Sequence, residues 1–260
     1  MNPHPHDLSS LPAVQAAVEN HPYPLAFATV SGAHLYGFPS ADSDVDLRGV
    51  HLLPPGERTP RRRGKPRDTV DSTAVIDGLE IDLVTHDAAK FFVLMLRPNG
   101  YVLEQVCSPL VVLETPALAE LRSLAEDCVT RGHARHYLGF ARTQRNLLGK
   151  HDPPRLKPLL YLYRVLLTGI HLMETGRVEA NLPTLLEDHP LPGVADLIAR
   201  KRAGAEKELL STAEVQERSA TLDRLTEELE AARDRSTLPE KPAAEAGLRD
   251  LLARLRDKVC

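Results

Sequence analysis

The feature that most restricts the fold of this chain is an apolar segment followed by a glycine turn and then by two aspartates. Ten residues separate the turn from the first aspartate, and a single residue lies between the two aspartates. The apolar segment is Leu25 to Val30, the turn is Ser31-Gly32-Ala33, and the aspartates are Asp44 and Asp46. A short apolar run and the β-branched stretch starting at Val45 both predict strands. Alternate side chains of a strand share a face, so the two carboxylates project the same way, roughly 7 Å apart. Carboxylates placed like this repel each other unless a cation lies between them.

A third acid follows in a later strand-like segment. The apolar residues around Asp82 take the buried face and leave Asp82 and Glu80 on the opposite one. If this strand pairs beside the first, three carboxylates share one site. Hard oxygen ligands suit Mg²⁺, which completes its octahedron with water and substrate phosphates. We therefore predict Asp44, Asp46 and Asp82 as metal ligands, with Glu80 as the alternative third acid.

The turn after the first strand predicts a phosphate site. Residues 31–37, with the sequence Ser-Gly-Ala-His-Leu-Tyr-Gly, read as a strand-to-helix turn in which Gly32 lets the backbone approach a ligand closely. Backbone amides exposed at a helix start bind phosphate. A triphosphate site beside a carboxylate metal site supplies the parts that phosphoryl transfer needs.

Composition limits the wider possibilities. The chain has 260 residues, and its 32 Lys and Arg against 36 Asp and Glu give a net charge of -4. This balance offers no global attraction to nucleic acid or membrane, so any polyanion site must be local. The three cysteines lack zinc or redox spacing, and neither a leader nor an apolar run of membrane-spanning length is present. These features predict a cytoplasmic protein.

The chain divides by pattern near residue 115. Before it, an Asp77-Gly78 hairpin signal lies among strand-like segments at 25–30, 45–53, 73–76, 79–85 and 110–113. After it, helical spacing runs through 118–148, 158–175 and 206–233, with prolines between. The prediction is an α+β protein with a catalytic domain at 1–115, a small mixed sheet flanked by helices, and an all-helical domain at 116–260.

The motif resembles that of the DNA polymerase β-like nucleotidyltransferase superfamily. Its signature is an apolar residue, Gly, then Gly or Ser, a short spacer and Asp-x-Asp, with a third acid on a later strand. Segments 30–38 and 43–50 are similar, within that superfamily, to the RNA-repair-pathway polymerase β family of predicted nucleotidyltransferases. The resemblance implies the nucleotidyltransferase fold, two Mg²⁺ ions (or Mn²⁺), an NTP as substrate, and in-line attack of an acceptor hydroxyl on the α-phosphorus.

One position departs from the signature. Where the superfamily has Gly or Ser, this chain has Ala33, so a hydroxyl that contacts the terminal phosphates is missing. Backbone amides, Ser31 or Ser43 are the candidate replacements. The alternatives are weak catalysis or a relative that only binds its ligand.

Further cations are candidates for ligand contact. Arg48 should share the face of Asp46, where it either neutralises phosphate or holds a carboxylate in place. Lys157, Tyr161 and Arg164 lie on one helix face, and the resemblance implies that Lys157 and Arg164 contact the nucleotide. The basic loop Arg58–Arg67 is a candidate for RNA contact, or a solvated loop.

Three functions remain open at this stage. The first is transfer of a nucleotide to an RNA end, in RNA repair or processing. The second is nucleotidylation of a protein or small molecule, such as a toxin or an antibiotic. The third is nucleotide or RNA binding without catalysis.

Overall fold

A computed structural model describes residues 8–57, 68–204 and 207–257. The basic loop Arg58–Arg67 lies outside the described residues, so its predicted contact with RNA stays a prediction. Contacts divide the chain into two compact units. The first contains the chain up to Leu35, Asp44–Cys128, and the chain from Lys241 onward; the second contains Tyr36–Ser43 and Val129–Glu240.

The first unit is built on one mixed sheet. Its strands are β1 (Leu25–Val30), β2 (Val45–His51), β3 (Thr69–Ile76), β4 (Leu79–Asp87) and β5 (Val111–Leu113). They lie in the order β3-β4-β2-β1-β5, and β2 and β4 run parallel while the other neighbours are antiparallel. All five strands overlap the predicted segments, but β3 begins at Thr69, four residues before its predicted start. β2 ends at His51, two residues before the predicted end.

The β3–β4 hairpin follows its local turn chemistry. Asp77 has a φ of 52° and Gly78 a φ of 80°. Two central residues with positive φ form the turn whose twist matches that of the flanking strands, and Asp-Gly is a favoured pair for it. The turn sets the β3–β4 register, which places Thr73 opposite Asp82.

Helices cover the sheet of the first unit. They are α1 (Pro12–Glu19), α2 (Gly32–Tyr36), α3 (Ala88–Met95), α4 (Gly100–Cys107), α5 (Pro116–Cys128) and, from the far end of the chain, α11 (Glu245–Asp257). The core is apolar: Phe27 of β1 and Phe91 of α3 are fully buried and meet edge to face, 5.8 Å apart at their centroids. At Gly247 of α11 a Cβ would come within 2.5 Å of Leu124, so close packing on α5 needs a glycine there.

The second unit is helical. It contains α6 (His133–Leu148), α7 (Leu156–Thr175), α8 (Leu182–Asp188), α9 (Val194–Ala203) and α10 (Thr212–Arg235). The α10 residues Leu222, Leu225 and Leu229 are buried, and Leu229 packs so closely on Gly169 of α7 that a Cβ there would lie 2.9 Å away. The leucine stripe of α10 therefore packs inside this unit.

The second unit also holds the segment Tyr36–Ser43. Lys201, which is fully buried, donates to Ser40 Oγ at 2.8 Å, and Arg202 Nε donates to the Gly37 carbonyl at 3.0 Å. The compact units are therefore discontinuous in sequence, unlike the linear division predicted at residue 115. A domain boundary at 115 stays a prediction. Among the described residues, none of the helices has the length and apolar character needed to cross a membrane.

Candidate active site

Two neighbouring strands bring the predicted acids together. β2 and β4 pair in parallel with Asp46 opposite Asp82. Their apolar neighbours Leu47 and Leu83 are buried in the core. Because side chains alternate along a strand, this leaves both aspartates on the opposite face of the sheet. The pairing of the two acid-bearing strands, on which the predicted site depended, is therefore present.

The other two acids lie at the end of the strand pair. Asp44 immediately precedes β2, whose first residue is Val45, and is half-buried. Glu80 is exposed and pairs with Val75 of β3. Asp82 is the acid that shares a partner with Asp46, so the geometry favours Asp82 over Glu80 as the third acid.

That shared partner is Arg48. Its Nη2 donates to Asp46 Oδ1 at 2.5 Å and to Asp82 Oδ2 at 3.0 Å. Its Nη1 donates to the carbonyls of Leu47 at 2.8 Å and of Asp82 at 2.6 Å, and its Nε donates to Tyr101 Oη at 2.6 Å. All five guanidinium hydrogens thus have acceptors. These contacts are the ones expected if Arg48 holds carboxylates in place, and its contact with a phosphate stays a prediction.

The surroundings of Arg48 keep its guanidinium charged. Arg48 is only 8% exposed. Burial alone would lower the pKa of its guanidinium, but Tyr101, Asp46 and Asp82 outweigh burial and raise that pKa above its usual value. Burial raises the pKa of the Tyr101 phenol, although Arg48 opposes this shift. Arg48 therefore stays charged and Tyr101 stays a neutral phenol at physiological pH.

The glycine turn lies directly against Asp46. Ser31 N donates to the Asp46 carbonyl at 2.8 Å, which closes the turn onto β2. Gly32 has a φ of 60°, and a Cβ at this position would lie 1.8 Å from Asp46 Oδ2. Ser31 Oγ is buried, and within the described part of the chain it has no hydrogen-bond partner. Ala33 is buried too, at 4% exposure.

Replacing Gly32 with alanine should therefore displace either the turn or the Asp46 carboxylate. We expect a stability loss of about 2 kcal/mol or more, because positive-φ strain and a steric clash act together. Gly78→Ala is the matched control, since Gly78 has a φ of 80° and a Cβ there would meet nothing within 4 Å. Thermal melts should show a larger loss for Gly32→Ala, and equal losses would rule out the close approach to Asp46.

The residues fit a hard divalent ion, although not as a ready-made cluster. In the described part of the chain, no group of three or more His, Cys, Asp and Glu side chains is arranged to hold a metal. Asp46 and Asp82 nevertheless converge on one cationic atom, Arg48 Nη2, so their oxygens already face a positive charge. Mg²⁺ needs only one or two protein carboxylates when substrate phosphates and water supply its other ligands.

The helical unit contains the other predicted nucleotide contacts. Lys157 Nζ lies 5.8 Å from the centroid of the Tyr161 ring, and both residues line a surface cavity. Arg164 is 1% exposed, and its guanidinium carbon lies 3.9 Å from the centroid of the Tyr36 ring. A ligand would reach Arg164 only if these surroundings opened. Contact of either cation with a nucleotide stays a prediction.

Ser43, a predicted phosphate contact, and two nearby aromatic residues are involved in packing. Tyr36 and Phe38 are buried and meet the Tyr161 ring edge to face. Ser43 is 8% exposed, and its Oγ accepts from Ser40 N at 2.9 Å. The aromatic pair thus anchors the Tyr36–Ser43 segment within the helical unit.

Sequence reasoning missed Tyr101 and Thr73. Tyr101 lies on α4, 53 residues from its partner Arg48, and Thr73 Oγ1 on β3 is 3.4 Å from Asp82 Oδ1. No motif connects Tyr101 to the acids. The hairpin register, in contrast, predicts that a β3 residue faces Asp82.

Comparisons with known proteins assign the family. The model of the RNA repair pathway DNA polymerase beta family, RlaP, matches residues 9–254. This chain belongs to the RlaP family. The match spans both units of the chain and confirms the predicted resemblance. The mixed sheet with flanking helices, followed by the helical unit, confirms the predicted fold class.

Individual relatives carry little functional information. This chain is 29% identical over 157 residues to the uncharacterized protein MJ0002 of Methanocaldococcus jannaschii, and the alignment covers 60% of this chain and 63% of the relative. It is 26% identical to the uncharacterized protein YcgL of Bacillus subtilis, over 71% of this chain and 72% of the relative. The chain thus spans just under two thirds of the archaeal relative's length.

One solved structure is a distant match. It is a nucleotidyltransferase-like protein from Exiguobacterium sibiricum 255-15, with 12% identity and a TM-score of 0.31 over 95% of this chain and 75% of that chain. This likeness is too weak to add to the family assignment.

Proposed function

We propose that this protein is a magnesium-dependent nucleotidyltransferase that moves a nucleoside monophosphate from an NTP to the hydroxyl of an RNA end. The observation that supports it best is the pairing of Asp46 with Asp82 across β2 and β4, with the Gly32 turn directly against Asp46. Membership of an RNA repair family supports RNA as the acceptor. The cytoplasmic location predicted from the sequence belongs to the same proposal.

The chain's own groups have distinct parts in the proposed reaction. Asp44, Asp46 and Asp82 are the carboxylates that would hold two Mg²⁺ ions, or Mn²⁺. When bound, such ions stabilise negative charge on the attacking and leaving oxygens. The backbone of the Ser31–Ala33 turn and the buried Ser31 hydroxyl would hold the β and γ phosphates. Ser31 is thus the candidate to replace the hydroxyl that Ala33 lacks.

The proposed step is a displacement at the α-phosphorus. The acceptor oxygen forms a bond to the α-phosphorus and gives up its proton to water, while the bond from that phosphorus to the bridging oxygen breaks. Pyrophosphate leaves with the electron pair of that bond. Arg48 stays on the two carboxylates and keeps them oriented, so positioning and electrostatics supply most of the acceleration. Contacts of Ser43, Lys157 and Arg164 with the nucleotide are further parts of the proposal.

A label-transfer assay tests this function. The protein is incubated with each α-labelled NTP, with Mg²⁺ or Mn²⁺, and with a panel of RNA, protein and small-molecule acceptors. We expect label on RNA ends, pyrophosphate release in equal amount, and no transfer in EDTA. Label on a protein or metabolite would replace the RNA acceptor with the second predicted function. NTP binding without pyrophosphate release would indicate a non-catalytic relative, as Ala33 allows.

A further inference from the structure

A cationic cavity lies within the helical unit. Its volume is about 360 Å³. It lies where the end of α6, the start of α7 and the segment before α10 come together. The lining residues that matter here are Gln144, His151, Arg155, Lys157, Tyr161 and Lys207.

The charge of this cavity contrasts with that of the whole chain. Arg155, Lys157 and Lys207 are basic, and no acidic side chain lines the wall among the described residues. Neither Arg155 nor Lys207 forms an ion pair with any residue that the structure describes. The nearby Glu208 pairs with Arg200 at 3.0 Å. A protein of net charge -4 thus concentrates basic side chains in one place, as a local polyanion site requires.

Backbone hydrogen bonds hold together two of the segments that line the cavity. Arg155 pairs with Leu209 in an antiparallel bridge. On either side of it, Leu156 N donates to the Glu208 carbonyl and Leu210 N donates to the Pro154 carbonyl, both at 2.8 Å. These bonds fix Lys207 beside the start of α7. The Arg155 side chain makes no capping hydrogen bond to that helix.

An aromatic wall completes the cavity. Tyr161 is held edge to face by Tyr36 and Phe38, with centroid distances of 5.3 and 5.4 Å. Sites for single-stranded nucleic acid combine such rings with cations that follow the phosphate backbone. His151 and Lys207 are exposed, so the cavity opens to solvent and a long chain can pass across it.

We propose that this cavity binds phosphates of a single-stranded RNA, with Arg155 and Lys207 contacting successive backbone phosphates. This proposal rests on the function proposed above and extends it by specifying where the RNA is bound. An NTP also presents phosphate groups, so the test must measure RNA binding and NTP binding separately.

The test measures binding of a fluorescent twelve-nucleotide RNA by anisotropy, in EDTA and without NTP. The variant is Arg155→Gln combined with Lys207→Gln. Each phosphate contact to a single strand contributes about 0.7 to the slope of log affinity against log salt, so the slope should fall by about 1.4. The dissociation constant at 150 mM NaCl should rise about tenfold.

The matched control is Arg142→Gln combined with Arg224→Gln, which removes two exposed arginines from α6 and α10 of the same unit. It should bind RNA almost as the unmodified protein does. Absence of RNA binding by the unmodified protein, unchanged binding by the cavity variant, or an equal loss in the control would each overturn the proposal. Circular dichroism melts check that both variants are folded.

A second arm titrates ATP. If the cavity variant loses as much affinity for ATP as for RNA, the cavity belongs to the nucleotide and the RNA proposal is overturned. Unchanged ATP affinity supports it. This assay measures RNA binding in EDTA and no transfer, so a failure of this proposal and a failure of the proposed catalytic function are distinguishable.

Discussion

Asp46→Asn is expected to reduce nucleotide transfer about a thousandfold or more while leaving the protein folded. The substitution removes a charged metal ligand, and metal stabilisation of a transition state contributes several kcal/mol, with about 1.4 kcal/mol for each factor of ten in rate. The fold should persist because the amide oxygen of asparagine can still accept from Arg48 Nη2. Asp44→Asn should have a similar effect on transfer.

The control for this substitution is Asp71→Asn, on exposed β3 of the same sheet. Transfer is measured with the acceptor found in the panel, and Mn²⁺ binding is measured by electron paramagnetic resonance. The Asp46 variant should lose both and the Asp71 variant neither. Undiminished transfer by Asp46→Asn or Asp44→Asn would refute the proposed chemistry.

Arg48→Met should produce a protein that depends on divalent ions for its stability. Without the guanidinium, Asp46 and Asp82 lose the positive charge that both of them contact, and Tyr101 loses a hydrogen-bond donor. Removing one partner of a fully buried pair costs about 3–5 kcal/mol, but these carboxylate side chains are 20% and 29% exposed. We therefore expect a loss of about 2 kcal/mol in EDTA, or roughly 4–8 °C in melting temperature.

Added Mg²⁺ should raise the melting temperature of Arg48→Met more than that of the unmodified protein, because the ion replaces the lost positive charge. Arg97→Met, at an exposed position after α3, is the matched control and should respond to Mg²⁺ as the unmodified protein does. A melting temperature in EDTA equal to that of the unmodified protein would show that the Arg48 contacts do not stabilise the site.

The strands and the acids were predictable because their signals are local. Alternation and β-branching located β2 and β4 to within two residues, and Asp77-Gly78 identified the turn between β3 and β4. The shared face predicted for Asp44 and Asp46 rests on the geometry of a single strand, and Asp44 lies immediately before β2, so this detail stays a prediction. The motif and its spacing carried the family resemblance, which the match over residues 9–254 confirms.

The arrangement of the site depends on contacts between distant parts of the chain. The predicted choice between Asp82 and Glu80 depended on the β2–β4 register, which places Asp82 and not Glu80 opposite Asp46. The five bonds of Arg48 needed α4 to bring Tyr101 to it across 53 residues. Lys201 holds Ser40 across 161 residues, so the segment before Asp44 belongs to the helical unit.

The sequence by itself thus determined which residues are available for the chemistry, because strand periodicity and turn conformation depend on near neighbours. Only the tertiary structure decided that Arg48 is bound to Asp46 and Asp82 and that Gly32 approaches Asp46 too closely for a Cβ. These outcomes depend on strand register and on packing between segments far apart in the chain. No local pattern encodes them.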